Sequence, residues 1–260
     1  MPDIVTDHPT EWQTHLPFET DGGVASRARI GVVTLATDHT LEYDFRRLLD
    51  LPGVAFYVAR IPFQPEVTPE TLAGMEQSMA ATASLILPGV PLTAIVYGCS
   101  SATMVLGEET VFARLREGRG VIPPTTPVTA AFAAFNRLDK TRIALLTPYV
   151  RSVNEEVANY FRDAGYDVPV LASYDCGNDN IVCNIPTDTI LRDAIALGRR
   201  DDVDAVFISC TSLRTAEIIA QAEAETGKPV TSSNHAMAWH ALRLSGVSDR
   251  IQGQGSLFLL

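Results

Sequence analysis

Ala94-Ile95-Val96-Tyr97-Gly98-Cys99-Ser100-Ser101 and Ala205-Val206-Phe207-Ile208-Ser209-Cys210-Thr211-Ser212 follow one pattern. Each is a short apolar run that ends in a thiol, followed by two hydroxyl residues and then a helical pattern. A continuous aliphatic run of this length predicts a strand buried on both faces of a parallel sheet. A thiol at the carboxyl end of such a strand sits where open α/β sheets bind their ligands. Unpaired N–H groups and the dipole of the following helix favour thiolate there, so both cysteines are expected to have lowered pKa values.

The duplication extends outward. Arg29-Ile30-Gly31-Val32-Val33-Thr34-Leu35 parallels Arg142-Ile143-Ala144-Leu145-Leu146-Thr147-Pro148. Thr125-Thr126-Pro127 ahead of Ala130, Ala131 and Phe132 parallels Ser232-Ser233-Asn234 ahead of Met237, Ala238 and Trp239. The steps are 113 residues from Arg29 to Arg142, 111 from Cys99 to Cys210 and 107 from Pro127 to Asn234. Three anchors in one order at nearly one period indicate two copies of a βα unit. Between them, periodicity and breakers predict helices over 44–51, 69–87, 152–164, 186–198 and 215–226, and strands over 54–61 and 168–174. Strands alternating with helices imply right-handed crossovers and parallel sheets. The predicted fold is α/β: two similar lobes, each a parallel sheet flanked by helices, related by a pseudo-two-fold axis with the active site between them. An amino-terminal arm over 1–25 precedes a first lobe over 26–127, on which 236–260 packs back, and a second lobe covers 128–235.

The 260 residues are enough for a sizeable core, and 46% hydrophobic with 20% charged residues is ordinary globular composition. A net charge of −11 argues against nucleic acid or an anionic membrane as partner. No window has the roughly 18 apolar residues of a bilayer span, and residues 1–23 lack a secretory pattern, so a cytoplasmic location is expected. Four cysteines in a chain this long do not form a disulfide scaffold, and no cluster has zinc-ligand spacing. Cys176 and Cys183 are read as small side chains in a loop, with a pairing between them left open. There is no GxGxxG fingerprint, so no nicotinamide or flavin cofactor is expected, and Gly118-Arg119-Gly120 lacks the chemistry of a phosphate loop. A homodimer is the expected assembly, from the prevalence of symmetric oligomers.

Two thiols facing one cleft suit two reactions. A thiolate abstracts a proton beside a carboxylate while a thiol on the other face returns one, which inverts a stereocentre. Alternatively a thiolate adds to an activated double bond, the new single bond rotates, and elimination gives the other geometric isomer. Both routes need a firmly held carboxylate. Ser100, Ser101, Thr211 and Ser212 offer hydroxyls and N–H groups as its cradle. The plain alternative is that each cysteine is a small core residue and the hydroxyls are helix caps. Two cysteines in duplicated surroundings make that the weaker reading.

Tyr97-Gly98-Cys99-Ser100-Ser101, Thr147-Pro148-Tyr149, Asp179-Asn180-Ile181 and Ser209-Cys210-Thr211-Ser212-Leu213-Arg214 together resemble the Asp/Glu racemase superfamily, in the branch of maleate cis-trans isomerases, arylmalonate decarboxylases and ectoine-utilisation proteins. The resemblance covers about 29–247. It implies that Cys99 is the nucleophile on a double bond, Cys210 its partner acid, and that Tyr149 and Asn180 hold a substrate carboxylate. Decarboxylases of the branch keep only the second cysteine, so two cysteines imply isomerisation or racemisation.

One segment departs from the pattern. Maleate isomerases carry a Ser-Asn-Thr loop after the first strand, whose Asn grips a substrate carboxylate; this chain has Ala36-Thr37-Asp38-His39-Thr40. A carboxylate at Asp38 repels a second substrate carboxylate and suits an ammonium or N–H group. The Ala-Thr-Asp pattern looks more like the ectoine-utilisation proteins. His39 reads as a solvated loop side chain, His235 and His240 as surface or capping residues, and Glu108-Glu109 as a solvated helix face. The expected function is cofactor-independent isomerisation of a small carboxylic acid by Cys99 and Cys210. Racemisation or epimerisation of an amino acid or ectoine derivative is the alternative. A small-acid-binding protein without catalysis is the reading from another class, separated from these by thiol reactivity and its protection by ligand.

Overall fold

The computed structural model describes residues 10–63 and 69–260. Eight strands, each followed by one or two of eleven α-helices, lie among the described residues. The first half runs β1 (Ala28–Leu35), α1 (Leu41–Leu48), β2 (Val54–Ile61), α2 (Pro69–Gly74), α3 (Glu76–Ser84), β3 (Ala94–Gly98), α4 (Ser100–Leu106), α5 (Glu108–Arg119), β4 (Pro124–Thr125) and α6 (Pro127–Leu138). The second runs β5 (Ile143–Thr147), α7 (Arg151–Asp163), β6 (Leu171–Ser173), α8 (Asp179–Val182), α9 (Thr187–Gly198), β7 (Ala205–Ile208), α10 (Ile219–Thr226), β8 (Val230–Ser232) and α11 (Ser233–Leu244). The strands form two four-stranded sheets, β2-β1-β3-β4 and β6-β5-β7-β8, all pairs parallel. Strand order is the same in both, as two copies of one unit require. Every residue of β3, β5 and β7 is buried, which is why these runs are apolar without alternation.

Helix faces follow from their spacing. On α7, Val153, Val157 and Phe161 recur every fourth residue and enter the core of the second sheet. Gly165 at φ +89° stops that chain direction, its N–H bonded to the Arg162 carbonyl. α6 has two apolar faces: Ala130 and Ala134 join the core around β1, while Val128, Ala131 and Phe135 join the core around β5. α11 packs beside it, its Met237, Ala238, Ala241 and Leu242 in the β1 core together with Leu257 and Phe258. Both helices start on hydroxyl caps, Thr126 Oγ1 to the Thr129 N–H and Ser232 Oγ to the His235 N–H.

Three expectations change. The helix predicted over 69–87 is two helices divided at Met75, where Gly74 offers no helix propensity to hold the turn. The strand predicted over 168–174 shortens to β6, preceded by a single bridge between Arg142 and Asp167. The helix predicted from Thr215 begins at Ile219, because the preceding segment spends its polar groups on long-range partners. Of the predicted arm, residues 1–9 lie outside the described residues; 10–22 are irregular and exposed. No helix among the described residues is long and apolar enough to cross a membrane.

Candidate active site

Both thiols sit at the carboxyl ends of central strands. Cys99 follows β3 directly and caps α4 in extended conformation, φ −148° and ψ 117°. Its approach depends on Gly98, where a Cβ would collide with the Leu41 side chain of α1. Cys210 follows β7 after Ser209, whose N–H continues the ladder to the Leu146 carbonyl at 2.8 Å. Its φ of 149° is a conformation that residues with a side chain rarely adopt. Its N–H donates to Ser233 Oγ at 3.1 Å. After Cys99 a helix starts at once. After Cys210 a turn of Thr211, Ser212 and Leu213 leads away instead, so the expected helix terminus is absent there.

The two thiols line one narrow, nearly closed cleft of about 10 Å³, with Ser100, Ser101, Tyr149, Asp179, Thr211 and Ser212 as its polar wall and Leu35, Phe63 and Leu72 as its apolar one. Hydrogen bonds between the lobes close it. Thr40 Oγ1 donates to the Ser212 carbonyl at 3.0 Å, and Thr37 Oγ1 donates to Asp179 Oδ2 at 3.0 Å. Ser212 Oγ donates to Asp179 Oδ1 at 3.3 Å. Ser100 and Ser233 share a hydroxyl contact of 2.8 Å. Tyr149 is held from behind: its carbonyl accepts from Asn154 Nδ2 at 2.6 Å and from Ser173 Oγ at 2.5 Å. A wider depression on α7, around Arg151 and Glu155, is open to solvent and lined by no cysteine among the described residues.

The electrostatics reverse one expectation. Burial pushes the Cys99 thiol up to about 12 and raises Cys210 as well, so both are neutral in this closed cleft. The charge of Asp179 adds to the rise at each sulfur, and that of Asp38 adds at Cys99. Opposing donors are the Ala102 N–H and Ser101 hydroxyl at Cys99, and the Ser212 N–H and Tyr149 hydroxyl at Cys210. The desolvation of a fully enclosed sulfur outweighs a few oriented dipoles. The Tyr149 phenol is likewise held well above its ordinary range, by burial first and then by the two thiols.

Of the residues expected from sequence, Cys99, Cys210, Ser100, Ser101, Tyr149, Thr211 and Ser212 come together on the cleft. Asp38 is buried behind it: Oδ1 accepts the Thr40 and Leu41 N–H groups at 2.8 Å each and so starts α1. Its Oδ2 is buried with no hydrogen-bond partner among the described residues. Burial raises the Asp38 pKa, against the pull of those two N–H donors. Asn180 is not brought to the cleft. It is exposed, its Oδ1 3.0 Å from His39 Nε2, because the short α8 turns successive side chains to different sides. Its neighbour Asp179 lines the cleft instead, with a pKa pushed up to about 6 by burial and by Asp38. Of the segment Asp179-Asn180-Ile181 it is therefore Asp179, which the sequence reading does not assign a role, that lines this cleft. Asp44 also went unread: it is fully buried, and its Oδ2 accepts from Asn234 Nδ2 at 3.0 Å and from the Thr215 hydroxyl and N–H at 3.2 and 3.3 Å. Cys176 and Cys183 are free thiols beside the 178–180 turn, outside the cleft.

Comparison with known proteins agrees with this fold. A family model described as arylmalonate decarboxylase matches residues 104–258. The maleate isomerase of Nocardia farcinica is 29% identical over 240 residues, 88% of this chain and 94% of that protein. The arylmalonate decarboxylase of Bordetella bronchiseptica is 31% identical over 146 residues, 55% of this chain and 60% of that protein. A solved structure of the Nocardia farcinica enzyme, a cysteine-to-serine variant with a covalently bound succinylcysteine intermediate, superposes with a TM-score of 0.79 at 28% identity, covering 89% of this chain and 98% of that one.

Proposed function

The chain belongs to the arylmalonate decarboxylase family, and from that premise we propose that it is a cofactor-independent isomerase of a small carboxylic acid that works through Cys99 and Cys210. The observation that carries this reading is the meeting of two buried thiols, one at the end of each central strand, in a single cleft. Decarboxylation needs a proton delivered to one face of a carbon. Two thiols from two lobes supply a group on either side of it. The succinylcysteine seen in a relative supports covalent addition of a cysteine sulfur to an unsaturated acid.

In this reading Cys99 is the nucleophile. It first passes its proton to the entering substrate's carboxylate and recovers it once the C–S bond has broken, and the Ser101 hydroxyl and Ala102 N–H stabilise the sulfur's charge in between. The sulfur bonds one carbon of the double bond, the π pair moves to the next carbon, and the Cys210 thiol protonates that carbon. Rotation about the new single bond follows. Cys210 then takes a proton back, the C–S bond breaks, and the double bond re-forms in the other geometry. Tyr149, Ser100, Ser101 and Thr211 are the polar groups available to a substrate carboxylate.

A second reading is favoured by one specific observation, the carboxylates of Asp38 and Asp179 beside the cleft. They suit a nitrogen-bearing acid, such as an amino acid or an ectoine derivative, at whose α-carbon the two cysteines exchange protons from opposite faces. Proton NMR in D₂O with maleate, aspartate and ectoine-derived amino acids separates the two. Fumarate from maleate, abolished by Cys99→Ala, supports cis-trans isomerisation. Deuterium entering at an α-carbon, lost in either cysteine variant, supports racemisation. No change in any substrate sinks both.

A further inference from the structure

The polar wall of the cleft is unbalanced. Among the described residues no Lys, Arg or His lines it, while Asp179 does. The nearby cations are committed elsewhere. Arg60 donates to the carbonyls of Leu35 and Asp38 and to the Glu42 carboxylate. Arg214 gives one donor to the Ile185 carbonyl while its buried Nε has no hydrogen-bond partner among the described residues, and His39 is exposed and bonded to Asn180. Both Asp179 oxygens are fixed by hydroxyls, Thr37 from one lobe and Ser212 from the other, so the carboxylate has one position. Behind it lies Asp38, 3% exposed, its carboxylate held by the Thr40 and Leu41 N–H groups and felt by the Thr211 hydroxyl. Its charge acts on both Asp179 and Cys99.

We propose that Asp179, backed by Asp38, determines the substrate class: an acid of a few carbons with a single carboxylate and a nitrogen donor group, ammonium or amide, in place of a second carboxylate. The proposal rests on the reading of the cleft as the substrate site and holds for either reaction above. A dicarboxylate would have to set its second anion beside a buried, fixed carboxylate on a cleft that no cation lines among the described residues. A nitrogen donor meets an acceptor already in place. On the same cleft, the Ser100, Ser101 and Tyr149 hydroxyls offer donors to the single carboxylate.

Isothermal titration at pH 8 tests this with three probes of equal carbon number: maleate, its half-amide maleamate, and 2,4-diaminobutyrate. At least one nitrogen-bearing probe should bind about 100-fold more tightly than maleate, the scale expected of a like-charge clash. Asp179→Asn keeps the shape and accommodates both hydroxyls, and it should bring the ratio to within about tenfold of unity by strengthening maleate binding. Asp38→Asn, which retains the cap on α1, should move the ratio the same way by a smaller factor and serves if the first variant fails to fold. Maleate binding as tightly as the other probes, a ratio unchanged in both variants, or no binding by any probe overturns the proposal. Proton NMR on the same samples reads turnover separately. A retained binding preference without turnover would sink the isomerase reading and leave the assignment of Asp179 intact.

Discussion

The hydroxyls of Ser100 and Ser233 lie 2.8 Å apart, one at the start of α4 behind Cys99 and the other at the start of α11 behind Cys210. Ser233 Oγ also accepts the Cys210 N–H at 3.1 Å. One buried oxygen therefore joins the backbone of the second thiol to the helix that follows the first.

Ser233→Ala should separate the two. The substitution leaves the Cys210 N–H buried without an acceptor, which costs about 1–3 kcal/mol. Urea unfolding should show that loss. Turnover of whichever acid the enzyme accepts should fall by more than tenfold, since the sulfur is no longer held in place. Full activity with reduced stability would show that the hydroxyl pair is structural only.

The two cleft thiols should alkylate slowly. With Cys99 held at about 12 and Cys210 also raised, iodoacetamide should label neither quickly at pH 7.5. Cys176, the one cysteine of the four that is half-exposed, should react first. Peptide mass spectrometry over time gives the order. A cleft thiol labelled ahead of Cys176, with an inflection below pH 8, would mean that the resting site holds a thiolate.

Asp44 and Asp179 tie stability to pH. Both have folded pKa values of about 6 against 3.8 when exposed, so the folded chain binds their protons more tightly than the unfolded chain does. Stability is then greatest below the unfolded value and falls as the pH rises from about 4 to about 6, by roughly 2–3 kcal/mol for each group. Asp44→Asn should remove its share of that fall. Urea denaturation at pH 4.5, 5.5 and 7 would detect the flatter profile, and an identical slope in the variant would refute the assignment to Asp44.

Gly98→Ala should damage both stability and chemistry. The new methyl group meets the Leu41 side chain on one side and Thr34 Oγ1 at 3.4 Å on the other. Overpacking at a closed site costs about 1–3 kcal/mol. The strain falls one residue before Cys99, so a lowered melting temperature and a lowered kcat should appear together.

The fold was legible because burial on two faces leaves a pattern in local sequence. Ile30 to Leu35 and Ile143 to Thr147 read as strands with no knowledge of partners, and a repeated thiol marked where they end. What could not be read was tertiary. Whether Asp179 or Asn180 faces the cleft depends on one turn of α8, and a helical period does not set its origin. The helix expected from Thr215 starts only at Ile219, since the segment before it bonds Asp44, Asn234 and Asp179, residues 23 to 171 positions away. The thiolate expectation failed for a related reason. Helix position is visible in sequence, whereas the depth at which a sulfur is enclosed belongs to the assembled lobes.

The φ of 149° at Cys210 has an evolutionary side. Glycine is the residue that this backbone would choose, and Cys210→Gly should yield a more robust protein than Cys210→Ala, at the expense of the reaction. Drift toward stability at this position is drift away from catalysis. Among descendants of the fold that have abandoned the chemistry, position 210 is where a glycine should surface first.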